Sequence, residues 1–172
     1  MNKKIFGLFV AFVLGIGWMM VEPRAAQTAA EGKGIPVITQ SFASGEVRAG
    51  DTWRVYLKAS DPDGKMKYIF AAISQPGIGT YPVSIIRIRD ENQKELSGYI
   101  SLNTAPVLPS AFFNLTLTLT VNIQSEGGVF SQAAVFPLFF QARAARETPP
   151  EGVFKEQYLG PIMVRLRTLE PR

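Results

Sequence analysis

Apolar and polar side chains alternate with a period of two along most of the chain beyond its N-terminal segment. The clearest case is Asn114–Ile123, in which aliphatic residues alternate with Thr and Asn. Thr52–Ser60 alternates in the same way, with Trp53 and Leu57 in the apolar row and Tyr56 in the other. A period of two places such rows on opposite faces of a β-strand. Both segments are therefore predicted to be half-buried strands, with Asn114–Ile123 as the central core strand.

Weaker forms of the same pattern indicate further strands. They are predicted at Ile35–Ala43, Met66–Ser74, Pro82–Arg89, Leu96–Leu102, Ser131–Ala142 and Gly160–Leu169. In Met66–Ser74 both faces are apolar, with Met66 and Tyr68 on one and Ile69 and Ile73 on the other, as suits a strand in the middle of a sheet. No apolar period of 3.6 extends over a dozen residues outside the N-terminal segment. The chain is predicted to be all-β, with seven to nine short strands forming a sandwich.

Segments rich in Gly, Pro and acidic residues separate these strands. Asp61-Pro62-Asp63-Gly64 is a corner, because Pro presets φ, Asp hydrogen-bonds its own backbone and Gly tolerates positive φ. Gly45–Asp51 and Gln75–Gly79 are predicted loops, and Ser125–Gly128 is the predicted turn of a hairpin. Arg143–Gln157 is predicted to be a long loop or arm, after which the last strand must find a sheet edge.

The N-terminal segment has the layout of a secretory signal. Lys3 and Lys4 precede Ile5–Val21, which contains no charge. This stretch is long for a signal core and just short of the roughly 20 residues that span a bilayer. Cleavage is predicted after Ala30, and the alternative is an uncleaved anchor. We therefore expect a signal peptide or membrane anchor over 1–30 and one domain over 31–172, which ends in a C-terminal arm and strand over 143–172. The protein is expected to be exported to the periplasm, the cell surface or the outside of the cell. Membrane contact is expected only through an uncleaved N-terminal segment.

Composition limits the chemistry of the chain. It contains no Cys and no His, which removes disulfides, thiolate metal sites and the commonest general base. Residues 31–172 carry 15 basic and 13 acidic side chains, scattered along the sequence, so no nucleic-acid partner is expected. An enzyme would need Ser with Lys, or a pair of carboxylates, and no spacing marks either. Catalysis is therefore not expected.

One stretch resembles a known family. Gly50–Gly64, with its Gly-Asp, alternating strand and Asp-Pro-Asp-Gly corner, resembles the start of bacterial Ig-like domains of the PKD and cadherin-like type. The later Leu-Thr-Leu-Thr-Leu-Thr-Val strand, followed by Glu126-Gly127-Gly128 and Ser131, is similar to that family's penultimate strand and final hairpin. The resemblance covers residues 35–140, matches the family's aromatic strand only loosely at Tyr68-Ile69-Phe70, and excludes Arg143 onward. It implies an Ig-like antiparallel β-sandwich with an adhesion, spacing or binding role and no catalysis.

Two places are candidate binding sites. Asp61 and Asp63, with Asp90 and Glu91, could supply oxygen ligands to Ca²⁺, and the alternative is that the first two only shape the turn. No other cofactor is expected. Tyr56 should point outward from a strand whose other row is buried, so it is a candidate for a ligand-binding ring. Asn114-Leu115-Thr116 fits the glycosylation acceptor pattern, although a position in a strand argues against its use.

The predicted function is a non-catalytic exported module with a structural or protein-interaction role in the cell envelope and an unidentified protein partner. The alternative is a sandwich that binds carbohydrate or another ligand, and a hydrolase is a more distant third. Carbohydrate binding would need exposed rings in one open row, whereas core packing would bury them. The candidate rings are Trp53, Tyr56, Tyr68, Phe112, Phe113, Phe139 and Phe140. The final strand is expected either to cap a sheet edge or to pair with a partner.

Overall fold

The computed structural model describes residues 34–104, 115–145 and 147–167, and they fold almost entirely as strands. The strands are β1 (Val37–Ala43), β2 (Glu46–Val47), β3 (Thr52–Ser60), β4 (Met66–Gln75), β5 (Gly79–Thr80), β6 (Ser84–Arg87), β7 (Glu95–Asn103), β8 (Thr116–Ser125), β9 (Ala134–Phe140) and β10 (Tyr158–Pro161). A 3₁₀ helix, Asp90–Asn92, occupies the predicted polar turn after β6. Residues 1–30, predicted to be a signal or anchor, and Asn114 lie outside the described residues. Among the residues that are described, no helix is long and apolar enough to cross a membrane.

The strands form two sheets. Sheet I has the order β1-β3-β7-β10, and sheet II has the order β2-β9-β8-β4-β5, with β6 also pairing with β4. Most pairs are antiparallel, whereas β2 runs parallel to β9 and β10 runs parallel to β7. The chain first changes sheets between β1 and β2, and β8 and β9 pair as an antiparallel hairpin in the interior of sheet II. Two facing sheets with this strand order form an Ig-like β-sandwich, so the predicted fold class is confirmed.

The core lies between the two sheets and contains the apolar rows that the sequence pattern predicts. Trp53 and Leu57 of β3 belong to this core, as does every second residue of β8 from Leu117 to Ile123. Leu115, the first aliphatic residue of the predicted row, precedes β8 and packs partly buried against the same core. Burying each aliphatic side chain contributes about 1.5 to 3 kcal/mol before ordering entropy is subtracted. The Thr side chains of β8 lie on the outer face.

The phase of β4 differs from the prediction. Met66 and Ile69 are both 0% exposed, although an uninterrupted strand would place them on opposite faces. The register between β4 and β8 shifts between Met66 and Tyr68, so one extra residue is accommodated there. A β-bulge of this kind returns the chain to the same face after an odd number of residues. The expectation that Met66 shares a face with Tyr68 is wrong, because Met66 faces the core together with Ile69 and Ile73.

The end of the chain caps sheet I and then crosses to sheet II. β10 lies along the free edge of β7, and the Ile162 N–H donates to the Ser101 carbonyl at 2.7 Å. β10 is shorter than the predicted Gly160–Leu169. Beyond it, Ile162 and Leu166 are buried and Met163 is exposed, as the alternation predicts. The Met163 N–H donates to Ser84 Oγ at 2.8 Å, which ties this tail to β6.

Two glycines permit this close packing. At Gly98 in β7, a Cβ atom would lie 2.4 Å from the Gln157 carbonyl oxygen and 3.0 Å from the Leu159 side chain. At Gly160, where φ is +153°, a Cβ atom would lie 2.7 Å from Ile86 Cγ2. Real Cβ atoms do not approach other atoms this closely. Gly98 is therefore the position that lets the last strand reach the edge of β7.

Candidate functional site

An aromatic row runs across the outer face of sheet I, with one ring from each strand. Its members are Phe42 in β1, Tyr56 in β3, Tyr99 in β7 and Tyr158 in β10. Successive ring centroids are 6.4, 5.5 and 5.6 Å apart, and each pair of rings is tilted. The strand registers place Phe42 opposite Tyr56, Tyr56 opposite Tyr99 and Tyr99 opposite Tyr158. The aromatic row thus follows directly from strand pairing.

The C-terminal arm comprises residues 143–157, of which all but residue 146 are described, and its residues Phe154–Glu156 lie over the middle of the aromatic row. The Phe154 ring centroid is 5.7 Å from that of Tyr56, and the Tyr56 hydroxyl donates to Glu156 Oε1 at 3.0 Å. The Lys155 N–H donates to Ser97 Oγ at 3.0 Å. Tyr56 points away from the core, as predicted, but it is only 5% exposed. The expectation that its ring would be open to solvent is wrong, because the arm covers it.

Charged groups surround the Tyr56 hydroxyl. Arg54 Nη1 lies 3.4 Å from Glu156 Oε2, and the Arg54 guanidinium carbon is 4.7 Å from the centroid of the Tyr99 ring. Burial raises the pKa of Tyr56 above its ordinary value, and the hydrogen bond to Glu156 acts in the same direction. Hydrogen bonding to Tyr56 raises the pKa of Arg54 in turn. Tyr56 is therefore a neutral hydrogen-bond donor at physiological pH, which suits a structural contact and not a nucleophile or base.

Beside this cluster lies the arm groove, a groove of about 580 Å³ between the arm and the outer face of sheet I. Among the described residues, five carboxylates and two arginines line it, together with the rings of Phe42 and Phe154. The charged residues are Glu46, Arg48, Asp51, Arg54, Glu147, Glu151 and Glu156. Over the described part of the chain, no group of three or more His, Cys, Asp or Glu could hold a metal ion. The lining is suited to polar contacts with a small ligand.

A second depression, the edge groove, follows β1. Its volume is about 780 Å³, and its floor is formed by Ile35–Phe42. One wall comes from the arm through Pro150, Val153 and Phe154, and the other from the chain between β8 and β9. The structure describes 15 residues that line it, and none of these is charged. The two grooves therefore offer opposite chemistries on either side of the arm.

The candidate calcium residues form a turn. Asp61 is buried, and its two carboxylate oxygens accept hydrogen bonds from the N–H groups of Asp63 and Lys65 at 3.0 and 3.1 Å. The Asp90 carboxylate accepts a hydrogen bond from the Gln93 side chain instead. Since both oxygens of Asp61 already bond backbone groups, the geometry favours its role in shaping the corner. Calcium binding here stays a prediction.

The other candidate rings are distributed among different environments. Trp53 and Phe140 belong to the core, and Trp53 Nε1 donates to the Ser44 carbonyl at 2.8 Å. Tyr68 lies half-buried on the outer face of sheet II, and Phe139 is 45% exposed. Phe112 and Phe113 lie outside the described residues. These rings do not form one open row with Tyr56, and core packing explains Trp53 and Phe140 but not Tyr68 and Phe139.

Sequence reasoning missed the partners of Tyr56. Tyr99 could have been found, since the alternation of Leu96, Ile100 and Leu102 places it on the outer face of its strand. Glu156 carried no such signal, because it lies 100 residues from Tyr56 in a segment without periodicity.

Comparison with known proteins finds similarity among solved structures only. No family model matches the chain, and no curated protein matches it. Among solved structures, it is similar to the PKD domain of an M14-like peptidase from a Thermoplasmatales archaeon, at 12% identity and a TM-score of 0.37, covering 61% of this chain and 94% of that one. It is also similar to a CARDB domain from Pyrococcus furiosus, at 7% identity and a TM-score of 0.32, covering 62% of this chain and 93% of that one. The first is of the type that the sequence resembles, but at these TM-scores the Ig-like assignment rests on the strand order itself.

Proposed function

We propose that this chain is a non-catalytic, exported Ig-like module with a structural or protein-interaction role in the cell envelope. The observation that carries the proposal is the open edge of β1. Among the described residues, the opposite edge of sheet I, at β7, is capped by β10, and the outer strands of sheet II are short, with two residues each in β2 and β5 and four in β6. β1 has seven residues, none of them charged. A strand edge of this length is a template for pairing with another chain.

Export is supported by the sequence of residues 1–30, where two lysines precede a long uncharged segment. Fractionation of the native host and N-terminal sequencing of the purified protein test this part. We expect the protein in the envelope or medium, beginning at Glu31 if the signal is removed or at Met1 if it is retained as an anchor. A cytoplasmic protein would contradict export.

The interaction role is tested by capture from an envelope extract with the full chain as bait. We expect saturable capture of at least one envelope protein, with no equivalent from the cytoplasmic fraction of the same cells. Failure to capture any envelope protein above a beads-only control would overturn the proposed interaction role. Localisation and interaction are measured separately, so either part can fail alone.

A second candidate function, ligand binding, is favoured by the arm groove. Its volume of about 580 Å³ lies in the range of about 300 to 1,000 Å³ that is typical of ligand pockets. Phe42 and Phe154 offer ring faces beside carboxylates that can accept hydrogen bonds from sugar hydroxyls. It ranks second because the arm covers the central ring of the aromatic row. A thermal-shift screen with oligosaccharides tests it: a stabilising sugar whose effect is lost in Phe42→Ala supports it, and no stabilisation by any sugar excludes it.

A further inference from the structure

We propose that the edge groove binds an extended, uncharged segment of a partner protein, which pairs with β1 as an added strand. This inference rests on the proposed interaction role and names where and how the partner binds. It is carried by three features of the described residues: an unpaired strand edge, walls on both sides of that edge, and the absence of charge from the lining.

The unpaired edge is the outer side of β1. β1 pairs with β3 alone, and Gln40–Ala43 pairs with Val55–Lys58 in continuous antiparallel register. In an antiparallel strand, alternate residues direct their N–H and C=O groups to opposite sides. Within the described chain, no main-chain hydrogen bond joins β1 to a segment other than β3. About half of its main-chain groups are therefore available on the side away from β3.

Protection of this edge is incomplete. Natural proteins block exposed edges with charged residues, proline or bulges. β1 contains no charge, Pro36 precedes it, and a single register shift occurs between Ile38 and Gln40, where Thr39 Oγ1 donates to the Lys58 carbonyl. The bulge affects only the first half of the strand. Gln40–Ala43 remains a regular segment to which another strand can pair.

The walls of the edge groove favour a single strand over the edge of a second sandwich. The wall on the side of the arm is formed by Pro150, Val153 and Phe154, and the wall on the side of sheet II is formed by Phe130 and Ala133. A second copy of the domain would have to bring its own second layer between these walls. At about 3.3 Å per residue, β1 is about 23 Å long, which matches an added segment of about seven residues.

The lining sets the chemistry of that segment. None of the described residues that line the groove is charged, so a charged residue of the partner would lose hydration without gaining an ionic partner there. Ile35 and Phe130 are 38% and 46% exposed, which leaves apolar area to be covered. Successive side chains of an added strand point to opposite sides. The expected segment therefore carries apolar residues at alternate positions and no charge.

The test begins with a displayed library of random seven-residue peptides selected on the immobilised full chain. We expect enrichment of uncharged peptides with alternating apolar residues. The strongest of these is synthesised, and its affinity for the full chain is measured by fluorescence anisotropy. Enrichment of charged sequences, or no enrichment over a selection on the Ala133→Lys variant, overturns the inference.

Two sets of variants locate the binding. Ala133 is an exposed residue of the groove wall, and Ala133→Lys should weaken binding of the selected peptide about tenfold by placing a charge in the groove. Val135 is 57% exposed on the outer face of sheet II, so Val135→Lys is the matched control and should leave affinity unchanged. Equal affinities for both variants would place the peptide outside the groove. Thermal unfolding of each variant confirms that it is folded.

Backbone pairing has a signature of its own. Two versions of the peptide are made, with N-methyl groups at odd or at even positions. Only the N–H groups that face β1 donate to it, so one version should lose about tenfold in affinity and the other little. Equal affinities of the two versions overturn strand addition.

If the full chain captures an envelope protein that Ala133→Lys captures equally well, this inference fails while the proposed function stands. If the wild-type chain captures no envelope protein, the proposed function fails.

Discussion

Tyr56 and Glu156, 100 residues apart in the chain, are joined by a hydrogen bond of 3.0 Å from the phenolic hydroxyl to Oε1. The bond fastens the arm to the outer face of sheet I, above a tyrosine that β3 would otherwise expose. Tyr56→Phe should lower the free energy of unfolding by about 0.5 to 1.5 kcal/mol, measured in urea, because one hydrogen bond is lost while the ring packing remains. Tyr158→Phe is the control, since that residue is 46% exposed and should change little. Equal losses in both variants would contradict the role given to the Tyr56 bond.

The raised pKa of Tyr56 makes its stabilising effect depend on pH. The folded protein holds the phenolic proton more tightly than the unfolded chain, whose tyrosine ionises near pH 10. The contribution is therefore complete below about pH 10 and is lost as the pH rises through the folded pKa. We expect the stability advantage of the wild type over Tyr56→Phe to shrink as the pH is raised above about 10. A difference in the free energy of unfolding that stays constant with pH would show that the pKa of Tyr56 is not raised in the folded protein.

At Gly98 the end of the arm and the last strand pack tightly against β7. Gly98→Ala should cost about 1 to 3 kcal/mol, because its Cβ would meet the Gln157 carbonyl at 2.4 Å and displace β10. Faster proteolysis within the arm should accompany the loss. Gly45→Ala is the matched control, since no atom lies within 4 Å of its Cβ position. If Gly98→Ala matches Gly45→Ala in stability and in arm cleavage, the close contact is not real.

Variants of Asp61 and Asp63 distinguish a structural role of this corner from calcium binding. Asp61→Ala should cost about 1 to 3 kcal/mol, since two N–H groups lose their acceptor. Asp63 is exposed, so Asp63→Ala should stay within about 0.5 kcal/mol. Melting temperatures in EDTA and in millimolar calcium are expected to agree. A rise with calcium that disappears in both variants would establish a calcium site instead.

The elements that sequence reasoning placed well are those with strong local alternation. β3 is found at its predicted bounds, and β8 is displaced by two residues from its prediction. The two-residue strand β2 lies inside one predicted loop and β5 begins inside another, because pairing so brief leaves no periodic signal. The prediction of which β4 residues share a face is wrong at the bulge, because a bulge is defined by the register with β8 and not by the residues of β4 alone.

The site was harder to predict than the fold. The outward direction of Tyr56 follows from its own strand, but its cover depends on where a non-periodic arm packs 100 residues later. The sequence also does not predict which sheet edge the last strand pairs with. The alternation of Ile162, Val164 and Leu166 indicates which side of the segment is buried, but it does not indicate the neighbouring strand. Parallel pairing of β10 with β7 is a tertiary result of this kind.

Residue-resolved amide hydrogen exchange tests most directly the claim that the chain's end seals one edge of sheet I and leaves β1 open. The Tyr99 N–H donates to the Gln157 carbonyl at 2.8 Å and the Ile162 N–H to the Ser101 carbonyl at 2.7 Å, so both should exchange as slowly as the amides of β8. In Gln40–Ala43, slow and fast exchange should alternate, with the fast amides facing the edge groove. Fast exchange at Tyr99 and Ile162, or uniform protection along Gln40–Ala43, would contradict the account.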